Sequence, residues 1–451
     1  MRARPEGARE LALEVLERVD RAGAYADLAL GAALARGRLA APERALATEL
    51  VCGALRWRGR LDFALARALE RPVAELEPRL ANVLRLGAYQ LLMLDRVPNA
   101  VAVSESVRLA RRANLDRASG LVNAALRRLA RERADVPFPT LHEDPRGHLV
   151  DALSVPPWIA ARWIEALGAE EAAGLARASN APGPLCVRVN RTRARRDELL
   201  DELRGRFPNA EPCRYASDGI RLGSGDAARD PAFQSGRATI QDEASQAIVE
   251  WLDPQPGERV LDACCAPGAK ATAIAERVGA SGAVVGLDRH AGRLALVERD
   301  ARRLGLANLR ALRADATQPL EPLLAPASFE RILVDAPCSG LGALRRNPDA
   351  RWRLRPDAPA HLAALQLALL RRAWPLLVPG GVLVYSTCTW TREENEGVVD
   401  ALLSTAPALR RVQTPPPAAV APLVGADGFL RSYPHRHGTD GFFAARFERC
   451  A

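Results

Sequence analysis

The chain of 451 residues has a single lysine, Lys270, against 62 arginines. Such arginine-rich and alanine-rich usage reads as coding bias, so the one ammonium that escaped it marks a position to inspect. Paired cysteines at metal spacing are also missing. The eight cysteines (Cys52, Cys186, Cys213, Cys264, Cys265, Cys338, Cys388, Cys450) include no C-x-x-C, and no histidine cluster joins them. That disfavours structural zinc and a disulfide scaffold, and no bound metal is expected. No apolar run approaches the roughly 18 residues of a membrane span. The opening stretch MRARPEGARELALEVLERVDR mixes charge with apolar residues instead of building a signal core. The expectation is a soluble cytoplasmic protein with no membrane partner. Aromatics make up only 5% of the chain, so base stacking is a limited resource.

What is present is basic charge, unevenly placed. The net charge is +9, and residues 1–134 hold 24 arginines against 16 acidic residues, leaving the remainder almost neutral. A polyanionic partner held by the N-terminal part is implied, chiefly through salt-sensitive phosphate contacts. With 48% hydrophobic and 26% charged residues, the chain has material for more than one core.

Residues 2–133 carry helical periodicity without strand patterns. Leu11, Val15, Leu16 and Val19 share one face, and Leu80, Val83, Leu84, Tyr89, Leu91 and Leu92 form another run. Pro42 reads as a helix start, while Pro72 and Pro98 read as breaks, giving five to seven short helices. Residues 135–157 are proline-rich and close on Ser154, an expected cap for a helix near Trp158. Strand 185–190, helix 197–206 and strand 219–222 then suggest a small α+β element. The expected domains are 1–136 (helical), 150–236 (small α+β) and 237–451 (α/β).

In the last domain, strand patterns at 259–263, 283–288, 309–315, 331–336 and 381–387 alternate with helices, and 441–448 adds a final strand. Nearly continuous apolar strands in β-then-α order predict a doubly wound, Rossmann-like parallel sheet whose ligands bind beyond the strand ends. The first strand leads into Asp262-Ala-Cys-Cys-Ala-Pro-Gly-Ala-Lys270, which is neither a dinucleotide fingerprint nor a P-loop. Gly268 allows a ligand close to the backbone. Asp288, Asp315 and Asp335 end the next three strands, and Asp288 is placed to accept ribose hydroxyls. Four acidic strand ends without a pyrophosphate site fit S-adenosylmethionine.

The fourth strand continues Asp335-Ala-Pro-Cys338, and the fifth Tyr385-Ser-Thr-Cys388. If the two strands are neighbours, two thiols and a carboxylate converge beside the cofactor turn. Pyrimidine carbon 5 is a poor nucleophile, but a thiolate added at carbon 6 makes it an enamine that attacks a methyl donor. An amino-group methyltransferase would carry an aromatic residue where Cys338 stands, so carbon methylation is indicated. Arg345, Arg346, Arg351, Trp352 and Arg353 follow as an expected RNA contact strip. Cys264 and Cys265 read as packing residues, and His435 and His437 as loop residues.

At LDACCAPGAKAT, LDRH, RADAT, ILVDAPCSGLGALRRNPDARW, YSTCTWTREENE, DGFFAARF, TIQDEASQ and GLVNAALRRL, the chain resembles the RNA 5-methylcytosine methyltransferases of the RsmB (Sun or Fmu) type. The resemblance spans nearly the whole chain and implies a NusB-like helical RNA-binding domain before the catalytic domain. It implies that Cys388 is the nucleophile and that Cys338 assists product release. Asp335 would bind and protonate the cytosine, and Lys270 would reach toward base and thiolate. Cys264, Cys265, Ala266, Pro267, Gly268, Ala269 and Lys270 would hold the methionine part of S-adenosylmethionine, with Asp288 on the ribose and Asp315 and Asp335 completing that site. The implied substrate is 16S rRNA; separately, no heptad or obvious self-complementary apolar patch argues for a stable dimer, so a monomer is expected. This chain departs from the family's PGGKT at Ala269 and Ala271, and from TCS at Thr389. Alternative readings are a tRNA cytosine methyltransferase and a non-catalytic assembly factor.

Overall fold

The computed structural model describes residues 5–37, 39–223, 225–321, 323–412 and 415–450. Its contacts divide the chain into two units, Met1–Pro182 with Leu344–Pro356, and Gly183–Ala343 with Asp357–Ala451.

The first unit is helical, as its periodicity predicts. Up to Glu132 the described residues form seven α-helices: Ala8–Ala22, Ala26–Arg36, Ala41–Arg56, Arg58–Ala66, Pro78–Met93, Asn99–Arg112 and Ser119–Glu132. Leu11, Val15, Leu16 and Val19 are buried, and Val83, Leu84, Tyr89 and Leu91 fill the centre of the same core. Pro42 sits in a helix first turn, where its missing N–H costs nothing, and Pro98 immediately precedes Asn99.

Two expectations need correction here. Ser154 does not cap the helix Pro157–Leu167; it is fully buried, and its Oγ accepts a 2.8 Å bond from Gly59 N–H. The arginine strip is not a solvent-facing RNA contact. Arg351 is 1% exposed and donates to Ser154 O (3.1 Å), Ser179 O (3.3 Å) and Asn180 Oδ1 (2.8 Å). Trp352 Nε1 donates to Leu55 O, Arg353 pairs with Asp349, and Arg345 is buried, leaving Arg346 alone exposed. A run of cations around one aromatic has the same sequence signature whether it meets phosphates or saturates backbone carbonyls in a core.

The second unit holds two sheets. In the first, β1 (Leu185–Val189), β2 (Glu211–Pro212), β3 (Gly219–Gly223) and β4 (Ala238–Ile240) lie antiparallel in the order β2-β3-β1-β4, with helix Arg196–Arg204 contributing to their core. The second contains β5 (Arg259–Asp262), β6 (Ala283–Asp288), β7 (Leu309–Arg313), β8 (Phe329–Asp335), β9 (Leu377–Thr387), β10 (Leu409–Arg411), β11 (Leu430–Ser432) and β12 (Phe442–Arg449). Strand order is β10-β12-β9-β8-β5-β6-β7, with β11 against β12.

Strands β7-β6-β5-β8-β9 are mutually parallel, with Ile332, Leu333 and Val334 of β8 wholly buried. The sheet is mixed rather than purely parallel, because β12 runs antiparallel to β9, and β10 and β11 in turn pair antiparallel with β12. Strand β7 stops two residues short of Asp315, which lies in the following turn. The chain reverses its direction of progress across the sheet between β5 and β8, which is where an open α/β sheet offers a crevice.

Candidate active site

The turn after β5 is built from backbone geometry. Gly268 has φ 118°, a left-handed conformation that disfavours any side chain, and a Cβ there would stand 3.1 Å from Val297 Cα. Helix Ala269–Val278 starts directly afterward with no side-chain cap, so its first N–H groups stay open. Ala269 is the first helical residue and lies outside the left-handed region, so alanine fits there. Ala271 packs in a small core with Cys265, Leu294 and Val297. Burial pushes the thiols of Cys264 and Cys265 upward, consistent with packing residues. Asp262 is buried beneath the turn, where desolvation, then the Asp335 charge, raises its carboxyl to about 7.

Arg188 of β1 braces this helix. Its buried guanidinium donates to Ala269 O (2.7 Å) and Thr272 Oγ1 (3.1 Å) and pairs with Glu276 at 2.8 Å. Nothing local in LCVRVN reveals that role, because these helix partners lie about 80 residues downstream, and Gln241, which also accepts from the guanidinium, lies 53 away.

Asp288 ends β6, 8% exposed, accepting from His290 N–H (2.8 Å) and facing Arg293 at 3.1 Å. Asp315 is exposed; hydrogen bonds from the Thr317 hydroxyl and N–H hold its carboxyl below the usual range. Both carboxylates therefore also organise their own turns.

Strands β8 and β9 are neighbours, with Asp335 in register with Ser386. Lys270 Nζ lies 2.7 Å from Asp335 Oδ2, and Ser386 Oγ donates to Asp335 Oδ1 at 2.7 Å. Burial pulls the Lys270 ammonium down, but Asp335, with smaller help from Cys388, leaves it above the ordinary lysine value. Cys338 Sγ and Cys388 Sγ are 3.3 Å apart, and Cys388 N–H points at the Cys338 sulfur, also at 3.3 Å. The hydrogen bond with Cys388, followed by burial, holds the Cys338 thiol well above its ordinary value.

The loops carrying these sulfurs are tied by a buried polar network. Glu394 is fully buried; Oε1 accepts from Ser339 N–H (2.8 Å) and Gln366 Nε2 (3.0 Å), and Oε2 from Thr391 Oγ1 (2.8 Å). Thr389, the departure from the family's serine, meets Ser339 Oγ at 2.7 Å, so its hydroxyl serves the same joint. Gly342 N–H donates to Cys388 O (2.8 Å), and a Cβ at Gly342 would stand 2.0 Å from Gly441 O, so only glycine permits this approach. The stretch TREENE marked the region, but Glu394 was not recognisable as its anchor.

Elsewhere, Cys186, Cys213 and Glu243 bring ligand-type atoms within 4.8 Å of one another. Glu243 is already engaged by Tyr215 N–H (2.7 Å), Arg214 N–H and Arg221 (3.1 Å), and that guanidinium opposes a cation. His437 Nδ1 accepts from Tyr433 N–H, and the Tyr433 ring stacks on Trp390. No helix among the described residues is long and apolar enough to cross a membrane.

Three family models match the chain: the NusB family over residues 6–131, the ferredoxin-like domain of RsmF/B-like methyltransferases over 155–227, and 16S rRNA methyltransferase RsmB/F over 249–448. The chain is 38% identical to the "Probable ribosomal RNA small subunit methyltransferase B" of Bacillus subtilis, covering 96% of this chain and 97% of the relative. It is 34% identical to ribosomal RNA small subunit methyltransferase B of Pseudomonas syringae, over 91% and 90% of the two chains. The solved structure of PH0851 superposes with a TM-score of 0.81 at 24% identity, covering 99% of both chains, which shows the fold. A methyltransferase homologue from Pyrococcus horikoshii gives a TM-score of 0.57 at 28% identity, over 68% of this chain and 98% of that one. With identity above a third across nearly its full length, the chain belongs to the ribosomal RNA small subunit methyltransferase B family.

Proposed function

We propose that this protein transfers a methyl group from S-adenosylmethionine to carbon 5 of a cytosine in 16S rRNA through a covalent cysteine adduct, in the cytoplasm. The observation that carries the reading is the pair of sulfurs 3.3 Å apart at the ends of adjacent parallel strands, next to a strand end bearing the Lys270–Asp335 pair.

The turn at Gly268, the uncapped helix behind it and the Asp288 carboxylate fit a nucleoside carrying an amino acid. Residues 264–270 would hold the methionine part, Asp288 the ribose, and Asp315 the adenine side. When bound, S-adenosylmethionine supplies an electrophilic methyl. The chain's own groups do the rest. The Cys388 thiolate adds to carbon 6, shifting an electron pair to carbon 5, which then takes the methyl. The Lys270 ammonium favours the anionic sulfur, while Asp335 accepts hydrogen bonds from the base. Loss of the carbon 5 proton and rupture of the carbon 6–sulfur bond restore the aromatic ring and the thiolate. Cys338, whose sulfur lies 3.3 Å from that of Cys388, assists this release of the methylated base.

The test is incubation with labelled S-adenosylmethionine and deproteinised 16S rRNA, tRNA or DNA, followed by nucleoside analysis. Label is expected in 5-methylcytidine from 16S rRNA. Transfer to tRNA alone moves the substrate, and no transfer to any RNA removes the reading.

A further inference from the structure

Helices Asn99–Arg112 and Ser119–Glu132 pack against each other and border a groove of about 700 Å³. Its floor includes Val103 and Val107. Its rim carries four exposed arginines, Arg108, Arg111, Arg127 and Arg131, and among the described residues no acidic side chain lines it. Arg108 is paired with Glu105, and Arg127 Nε donates to Asn123 Oδ1 at 3.0 Å. Arg111 and Arg131 make no side-chain hydrogen bond or ion pair among the described residues. Guanidinium groups gathered around one concavity repel one another, so a bound anion would relieve that repulsion.

Its shape narrows the choice of anion. Arg127 and Arg131 stand one helical turn apart, about 6 Å along the axis, a separation similar to that of successive phosphates in an unstacked strand. A duplex would meet the groove with phosphates alone and leave the valine floor without a partner. An unpaired strand presents phosphates and base faces together.

We propose that this groove holds a single-stranded stretch of the RNA substrate, its phosphates on the arginine rim and its bases or sugars against Val103 and Val107. The proposal rests on the rRNA reading above and gives the positive charge of the N-terminal helices a definite location.

The test compares full-length wild type with the Arg111→Ala/Arg131→Ala double variant and with Arg67→Ala/Arg71→Ala, which removes equal charge from exposed positions outside the groove. The probes are deproteinised 16S rRNA and assembled small subunits, across a salt series, with melting temperatures confirming the fold. For the groove variant, affinity for bare rRNA is expected to fall roughly tenfold or more, and the salt slope to flatten by about 1.4, the share of two single-strand phosphate contacts. The control pair is expected to stay near wild type. Equal losses in both variants would reduce the effect to general charge and overturn the groove. So would unchanged binding by the groove variant while wild type binds and methylates rRNA. A loss seen only with assembled subunits would put an acidic protein surface there instead. Failure of wild type itself to bind rRNA would instead overturn the substrate reading, and the groove with it.

Discussion

Lys270 Nζ lies 2.7 Å from Asp335 Oδ2 and 4.9 Å from the ring centre of Phe442, so the chain's one ammonium is held between a carboxylate and an aromatic face. An arginine there is broader, planar and differently hydrated, and it would displace either Asp335 or the ring. Lys270→Arg is expected to lower turnover roughly 100-fold, the scale set by a small misplacement of a reacting group. Affinity for S-adenosylmethionine should fall much less than turnover. Single-turnover rates beside calorimetric binding check this, and near wild-type turnover would sink it.

The two sulfurs should separate on denaturing gels. Cys388→Ala removes the proposed nucleophile and is expected to leave no protein–RNA adduct. Cys338→Ala keeps the attack and impairs release, so a covalent adduct should accumulate. The opposite pattern would exchange their roles.

These two positions were legible in the sequence for a physical reason. Strands buried on both faces show as apolar runs, and the residues beyond them must lie at one end of the sheet, so Lys270, Asp335, Cys338 and Cys388 could be gathered without coordinates. The helical unit was legible for a similar reason, since the Leu11 and Leu80 faces repeat at helical spacing. Partners distant in the chain were not. Arg188 serves a helix about 80 residues away, Cys186 meets Cys213 across a small sheet, and the buried Arg351 resembles a solvated basic loop until its carbonyl partners are seen. The antiparallel edge at β12 was equally hidden, because an apolar strand pattern carries no direction.

Glu394 should matter to stability as well as to rate. Truncation to alanine leaves the Ser339 N–H, the Gln366 amide and the Thr391 hydroxyl without their shared acceptor, a cost of about 2 to 4 kcal/mol for buried unsatisfied groups. Glu394→Gln keeps the shape but turns a donor toward existing donors, so its loss should be smaller. Urea unfolding of the two variants checks the order, and an alanine variant as stable as wild type would show the network to be dispensable.

Asp262 supplies a pH signature. Its carboxyl rises from an ordinary 3.8 to about 7 in the fold, first through burial and then through the Asp335 charge. The folded state therefore binds a proton that the unfolded chain has already released between those values, so stability falls with rising pH across that window. The protonated group's contribution is complete below about 3.8 and is lost as pH rises through about 7. Asp262→Asn keeps an acceptor for the Cys264 N–H and cannot ionise. Its melting temperature relative to wild type should rise from pH 5 to pH 8, by an amount equivalent to a few kcal/mol. Other titrating groups are common to both proteins and cancel in the difference. An offset that stays constant over this range would mean that Asp262 is ionised in the fold throughout.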